Sequence, residues 1–304
     1  MKKHILLAVS LAVILMLLPL GLLSQDAEKQ AVGLKNIRGP IYLVENVAGG
    51  NIAVCIGTES ALMVDTGNDP NDAPNIEAAL EELTDKPVET VVNTHWHSDH
   101  VAGNVFWGEK GATIIGHENL TERLSSKIDM EFFGGQSEPL PEAGWPKVTF
   151  ENEKIIDTGE STIRLFHVQP GHTDGDCIVH FTKENVIHVG DLYFNGLYPY
   201  IGVSSGGSIG GMIAVLSHVL ELIEDDTIVI PGHGPLSDKT GMKEYVDMLS
   251  TIQSRVSKLL EEGKTLEEIQ AAKPTEEYDA DWGKVWMDGN EFTRLVVMSL
   301  SGNE

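Results

Sequence analysis

Basic residues are scarce in this sequence of 304: 21 lysines and arginines stand against 46 aspartates and glutamates, for a formal charge of −25. A surface so acidic repels nucleic acid and anionic membranes, so neither is an expected partner, and polyanionic substrates are poor candidates. Cysteine is nearly absent. Cys55 and Cys177 are the only two, and both fall in strand-like runs. That suits buried thiols better than the dense disulfide framework of a small secreted domain, although spacing alone does not say whether the two meet. No repeat period or low-complexity tract occurs, which excludes a solenoid and leaves one large globular fold or two modest ones.

One long apolar run is present, at the start. "MKKHILLAVSLAVILMLLPLGLLS" has a basic tip, an apolar stretch from Ile5, and the helix breakers Pro19 and Gly21 near its end. This is the pattern of a secretory signal peptide over residues 1–24, with an uncleaved N-terminal anchor as the alternative, since the stretch is almost long enough to span a bilayer. Either way the expected location is outside the cytoplasm, periplasmic or extracellular. Membrane contact is expected only if the segment stays uncleaved. Removing it deletes Lys2 and Lys3 and no acid, so the remaining chain is more acidic still.

Beyond the leader, apolar periodicity alternates between the strand and helix repeats. Residues 41–67 read as three strands separated by tight turns at Gly49–Gly50 and Gly57–Ser60. Ile76, Ala79, Leu80 and Leu83 follow helix spacing. "PVETVVN" and "ATIIG" are strands, with a helix expected from near His117. Residues 134–146, rich in Gly and Pro, are expected to be a loop. Strands are expected at 147–150, 153–157, 161–168, 177–182, 186–189 and 227–230. Helices follow at 209–223, from about Asp238 to Glu262, Thr265 to Ala272 and Asn290 to Leu300. Strands and helices in two halves suggest two packed sheets with helices outside.

The chemistry gathers in "HWHSDH", residues 95–100. His95 and His97 share a side if the segment is extended. Asp99 and His100 break that pattern, so the chain must curl and offer its ligands to two adjacent points. Three clustered imidazoles repel one another when protonated and add little to packing, which points to metal. Three further apolar strands end in turns carrying His172, Asp191 and His233, each preceded by a glycine: Gly171, Gly190 and Gly232. Strand ends converge well on a common point. Two metals fit this set better than one, and imidazole with carboxylate suits zinc ahead of iron or manganese. The other histidines read as structural: His4 in the leader, His167, His180 and His188 in strands, His218 in a helix, and His117 at a helix start.

With Asp65 in "LMVDTG", the "HWHSDH" cluster, "PGHT", "VGD" and "PGHG" in order, the chain resembles the metallo-β-lactamase superfamily over about residues 41–240. The resemblance implies an α/β fold, a four-layer αβ/βα sandwich of two mixed sheets with helices outside. It divides the chain into the leader, a catalytic domain at 35–240 and a C-terminal helical extension at 241–304. It implies two Zn2+ per chain. The first would be held by His95, His97 and His172, the second by Asp99, His100 and His233, with Asp191 bridging both and Asp65 orienting the metal-binding loop behind them.

The implied activity is that of an exported zinc-dependent hydrolase in which a bridging hydroxide attacks a small carbonyl substrate: an ester, lactone, thioester or amide, β-lactams included. Asp99 would be catalytic, orienting the nucleophile and passing a proton to the leaving group. Departures from the family patterns bear on the substrate. Asp191 stands where lactamases of the best-known subgroup have cysteine, and the tight "VAGG" turn replaces their long flap. Phe194 stands where lactonases carry a tyrosine. Trp96 would wall the site or cover the loop; Phe132, Phe133 and Trp145 flank a candidate lid, and Tyr193, Tyr198 and Tyr200 follow the bridging aspartate. No basic residue stands near the motifs, so a clamp for a substrate anion is not expected. The alternatives are an iron-dependent persulfide-type dioxygenase of the same fold, using His95, His172 and Asp191, and a metal-stabilised binding protein without catalysis.

Overall fold

Alternating side chains within single strands explain how two sheets come to be stacked. In the computed structural model, which describes residues 30–129, 132 and 134–302, Ala53 and Cys55 of one strand face a second sheet, while Val54 between them packs toward helices. Met63 and Val64 divide in the same way. Such strands are apolar throughout because both faces are buried.

The first sheet is built from β1 (Gly33–Arg38), β2 (Ile41–Glu45), β3 (Ala53–Ile56), β4 (Ala61–Val64), β5 (Val88–Val92), β6 (Thr113–His117) and β9 (Val148–Phe150). They lie in the order β1-β2-β3-β4-β5-β6-β9. The first four pair antiparallel through hairpins, and the rest pair parallel. The parallel crossovers carry α1 (Ala73–Leu83), α2 (Ser98–Val101), α3 (Asn104–Glu109) and α4 (Asn119–Ser125). β7 (Ile128–Asp129) and β8 (Gln136–Ser137) form a small separate hairpin.

The second sheet runs β10 (Glu153–Asp157), β11 (Thr162–Phe166), β12 (Ile178–Phe181), β13 (Val186–His188) and β14 (Ile228–Ile230), in chain order. Only its last pair is parallel, and the crossover between β13 and β14 carries α5 (Ile209–Leu222). Beyond β14 come α6 (Lys239–Glu261), α7 (Leu266–Ala271), α8 (Asp279–Trp282) and α9 (Gly289–Ser301). Between the sheets lies an apolar layer that includes Leu62, Val92, Leu165, Val179 and Phe181. Ile76, Leu80 and Trp107 cover the outer face of the first sheet. Met212, Leu216, Leu249 and Phe292 cover that of the second. The result is the four-layer αβ/βα sandwich.

The helices begin where polar caps allow. Ser208, Asp238 and Thr265 each accept a backbone N–H of the first turn, and Asp288 forms a reciprocal capping box with Glu291, an arrangement that satisfies N–H groups the helix itself leaves unpaired. The helices of residues 241–304 share one apolar cluster with α5 and the second sheet.

Several details differ from the sequence reading. β1 lies in the stretch before residue 41, for which the sequence suggests no element, because an edge strand with partly exposed faces needs no strong alternation. His117 ends β6, and the helix expected there starts at Asn119. The loop at 134–146 holds β8 and a short 3-10 turn at Glu142–Gly144. The leader at 1–24 and Phe133 lie outside the described residues. Cys55 and Cys177 are free, buried thiols, and burial raises the pKa of both.

Phe292 in α9 is fully buried and stacks on Tyr198 with ring centroids 4.6 Å apart. Phe292→Ala is expected to lower unfolding stability by about 3–5 kcal/mol in urea titrations. A loss below about 1 kcal/mol would show that α9 is not seated in this core.

Candidate metal centre

Beyond β5, an interior strand of the first sheet, the chain bends at Thr94 and again at Trp96 and so delivers His95 and His97. The backbone then turns into α2, whose first turn carries Asp99 and His100. This is the curl that the spacing of the four ligands requires. From the second sheet, the turn after β11 brings His172, a 3-10 turn after β13 brings Asp191, and the turn after β14 brings His233. The two sheets thus contribute ligands from opposite sides of the seam between them.

All seven side chains come together, in two groups that share one residue. His95, His97, His172 and Asp191 form one group; Asp99, His100, Asp191 and His233 form the other. Within each group the available ligand atoms lie within 4.8 Å of one another. Asp191 divides its carboxylate between them. Its Oδ2 faces His95 Nε2 at 3.8 Å and His172 Nε2 at 3.6 Å, while its Oδ1 faces His100 Nε2 at 3.0 Å and His233 Nε2 at 3.4 Å. Asp99 Oδ2 lies 3.0 Å from His233 Nε2. In the first group His97 Nδ1 and His172 Nε2 are 2.8 Å apart.

The ring orientations suit cations. His100 Nδ1 donates to Asp65 Oδ2 at 2.7 Å, and His172 Nδ1 donates to the carbonyl of Tyr200 at 3.0 Å. A ring that donates through Nδ1 can turn an Nε2 lone pair inward, which is how metal-binding imidazoles are oriented. His95 Nε2 is buried with no hydrogen-bond partner. An orphaned acceptor in this position is costly unless an ion satisfies it. The residues therefore fit a pair of divalent ions.

The electrostatics agree. Burial, followed by the neighbouring His100, holds His95 well below an ordinary imidazole, and burial with His172 lowers His97 to about 3. For His100 burial opposes a charge, yet Asp191, Asp99 and Asp65 outweigh it and push the ring well up. His233 rises to about 9 because Asp191 and Asp99 overcome its burial. Burial would raise both carboxylates, but the surrounding histidines hold Asp99 at about 2 and Asp191 well below the usual range. The carboxylates are thus in the form that binds metal, and protons compete with ions for the nitrogens of the second group.

A supporting layer holds these ligands in place. Asp65 is fully buried and sits at φ 59°. Besides His100 it accepts from Thr94 N at 2.8 Å and Thr94 Oγ1 at 2.7 Å. Sequence reasoning missed the counterparts on the other turns. Asp176 accepts from the backbone N–H groups of Gly171, His172 and Thr173 and so shapes the His172 turn. Asn51 donates to the carbonyls of Pro231 and Gly234, on either side of His233. His188, read as structural, accepts from Gly190 N and donates to Asn51 O. The signal for Asp176 lay in "GHTDGD", where a short acid three residues after a threonine can fold back on the turn. Asn51 carried none, because its targets lie 180 residues away.

Glycine is required where these turns press together. A Cβ on Gly232 would fall 2.0 Å from Asp191 Oδ1, and one on Gly50 would fall 2.1 Å from His100 Cε1.

The centre opens into a cleft. Trp96 is almost fully buried, packs with Val101, Leu120 and Leu124, and lies against the His97 ring; it covers the loop and also lines the cleft. Phe194 stacks on His233 at 5.0 Å, and Tyr200 packs against His97 and His172. Tyr193 and Tyr198 are core residues. The expectation that no basic residue stands near the site needs correction. Arg123 on α4 lines the cleft, paired with Asp174 at 2.6 Å. Sequence distance hid it, since α4 returns to the site only through tertiary packing.

Gly232→Ala should lower metal content at equilibrium, measured by elemental analysis after gel filtration, because Asp191 must move to admit the methyl group. Asp65→Asn should weaken metal affinity by about 10–100-fold. Unchanged affinity would mean that Asp65 does not hold the loop.

Residues 46–237 match the sequence profile of the metallo-beta-lactamase superfamily. A metallo-beta-lactamase type 2 from Bacillus sp. (strain 170) is 24% identical over 193 residues, covering 63% of this chain and 69% of that protein. Among solved structures, the DIM-1 metallo-beta-lactamase superposes with a TM-score of 0.59 at 21% identity, over 73% of this chain and 98% of that one. The sec-alkylsulfatase Pisa1 from Pseudomonas sp. superposes with a TM-score of 0.62 at 16% identity, over 87% of this chain and 49% of that one. These two structural likenesses speak for the fold, while the profile spans more than half of the sequence. The chain belongs to the metallo-beta-lactamase superfamily.

Proposed function

We propose that this protein is an exported hydrolase that holds two zinc ions and cleaves a small carbonyl substrate: an ester, lactone, thioester or amide. The observation that carries the reading is Asp191, whose two oxygens face two separate ligand groups. A purely structural site needs no such shared carboxylate beside an open cleft. His95, His97 and His172 would hold one ion, Asp99, His100 and His233 the other, and Asp191 both. When bound, such a pair supplies Lewis acidity and lowers the pKa of water towards about 7.

The protein's own groups account for the rest. Asp99 leaves 31% of its side chain accessible and lines the cleft. It can orient an attacking water and carry its proton to the departing oxygen, nitrogen or sulfur. Trp96, Phe194 and Tyr200 bound the same cleft and give it aromatic walls against which the carbon skeleton of a substrate can lie. No serine or cysteine nucleophile is required, since Cys177 is fully buried and burial holds its thiol protonated. The acidic surface and the pairing of Arg123 with Asp174 favour an uncharged substrate over a phosphate or sulfate ester. β-Lactams belong among the candidates, given the names carried by the Bacillus relative and the DIM-1 structure. The apolar leader, residues 1–24, supports export.

Metal analysis of the purified chain is expected to give about two zinc ions per molecule, and Asp191→Ala to lower occupancy at both positions. Chelation should abolish turnover of a panel of lactones, thioesters, esters and β-lactams, and zinc should restore it. One iron per chain with persulfide oxidation would replace this reading by an oxidative one. Intact two-metal protein inactive on the whole panel would reject carbonyl hydrolysis.

A further inference from the structure

The cleft above the metal centre has a volume of about 660 Å³, within the usual range for sites that enclose a small organic ligand. His97, Asp99, Asp191 and His233 contribute the polar chemistry. Much of the remaining lining is apolar, including Leu124, Leu140, Phe194 and Leu197. Val285 and Trp286 line it too. They come from the stretch between α8 and α9, outside the span shared with the family profile.

These two residues are unusual for their exposure. Val285 is 72% and Trp286 38% accessible, among the few large apolar side chains left open to solvent. Trp286 is also held in place: its Nε1 donates to the carbonyl of Tyr198 at 3.1 Å, and Tyr198 is itself buried against α9. An exposed aromatic residue fixed at the edge of an apolar cleft marks a binding surface more often than a packing defect. The charges point the same way. Among the described residues Arg123 is the sole lysine or arginine in the lining, and Asp174 already pairs with it; Glu138, also in the lining, is paired with Lys127. An anionic tail would find no unpaired cation among the described residues of the lining, whereas an apolar one would cover Val285 and Trp286.

We propose that the substrate carries an uncharged apolar group, an alkyl chain or hydrocarbon ring, that lies in this cleft beside the scissile carbonyl, and that Trp286 and Val285 determine the length accepted. The proposal rests on the carbonyl-hydrolase reading for its catalytic test, and a binding test stands apart from it. On p-nitrophenyl acetate, butyrate and octanoate, kcat/KM should rise with chain length, by up to about fourfold for each methylene that becomes buried. Trp286→Ala and Val285→Asp should each cut the octanoate-to-acetate ratio by about tenfold or more. Val285 is so exposed that its replacement has little packing to disturb. Trp286→Phe, which keeps an aromatic face, should restore part of the ratio.

Binding of the uncharged fluorophore N-phenyl-1-naphthylamine to the metal-loaded protein provides the second readout. Both damaging variants should weaken its Kd about tenfold, with circular dichroism and metal content unchanged. If no member of the lactone, thioester, ester and β-lactam panel is turned over but the fluorophore binds and both variants weaken it, the cleft assignment holds and the hydrolase reading fails. If esters are cleaved with no dependence on chain length, or the variants leave the ratio and the Kd unaltered, the assignment is overturned.

Discussion

A single carboxylate, that of Asp191, faces two groups of imidazoles at once, and the surrounding structure is arranged to keep it there. Asp191 comes from the second sheet and its oxygens reach histidines delivered by both sheets, so it sits on the seam of the sandwich, and neither half alone supplies the ligand set. Gathering this many polar groups with so little water is unfavourable, and the ordinary remedy is ion pairing or metal coordination. The opposed shifts within the cluster express that tension. The buried His95 and His97 resist protonation, whereas His100 and His233 accept it beside Asp99 and Asp191.

The turns that present these ligands are stabilised locally. Asp65 adopts a backbone conformation that typically costs of order 1–3 kcal/mol for a residue other than glycine. Three hydrogen bonds, from Thr94 N, Thr94 Oγ1 and His100 Nδ1, hold it there. Asp176 does comparable work for the His172 turn, and Asn51 for the His233 turn. Each of these three ligand-bearing turns therefore has its own polar anchor, buried for Asp65 and Asp176 and half-buried for Asn51, seated on strands whose apolar faces are locked between layers. Rigid strands with short, anchored turns suit a site that must hold several atoms at fixed separations.

The cleft adds a different kind of constraint. The cluster of candidate ligands is assembled from turns that follow β5, β11, β13 and β14, but the walls above it also draw on α4, on the small hairpin region and on the stretch before α9. The C-terminal helices cover the second sheet and at the same time carry Trp286 to the mouth of the site. Stability and cleft shape are thereby coupled: the Tyr198–Phe292 stack that seats α9 also supports the backbone carbonyl to which Trp286 is bound.

Much of this was legible in the order of residues. Short apolar runs between tight turns at β3 and β4, helix spacing at Ile76–Leu83 and Ile209–Leu222, and the irregular spacing within "HWHSDH" depend on local geometry, so most strands, the main helices and the ligand-bearing turns could be read directly. What could not be read involves partners far apart in the chain: Asn51 with the turn around His233, Arg123 at the cleft, Gly50 against His100, and the division of the Asp191 oxygens. A sequence records which groups are available and the local turns they sit on, because these follow from short-range sterics and periodicity. Which groups meet, and at what distance, was decided only when two sheets packed face to face and brought their strand ends together, since contacts across that seam depend on the whole apolar interior.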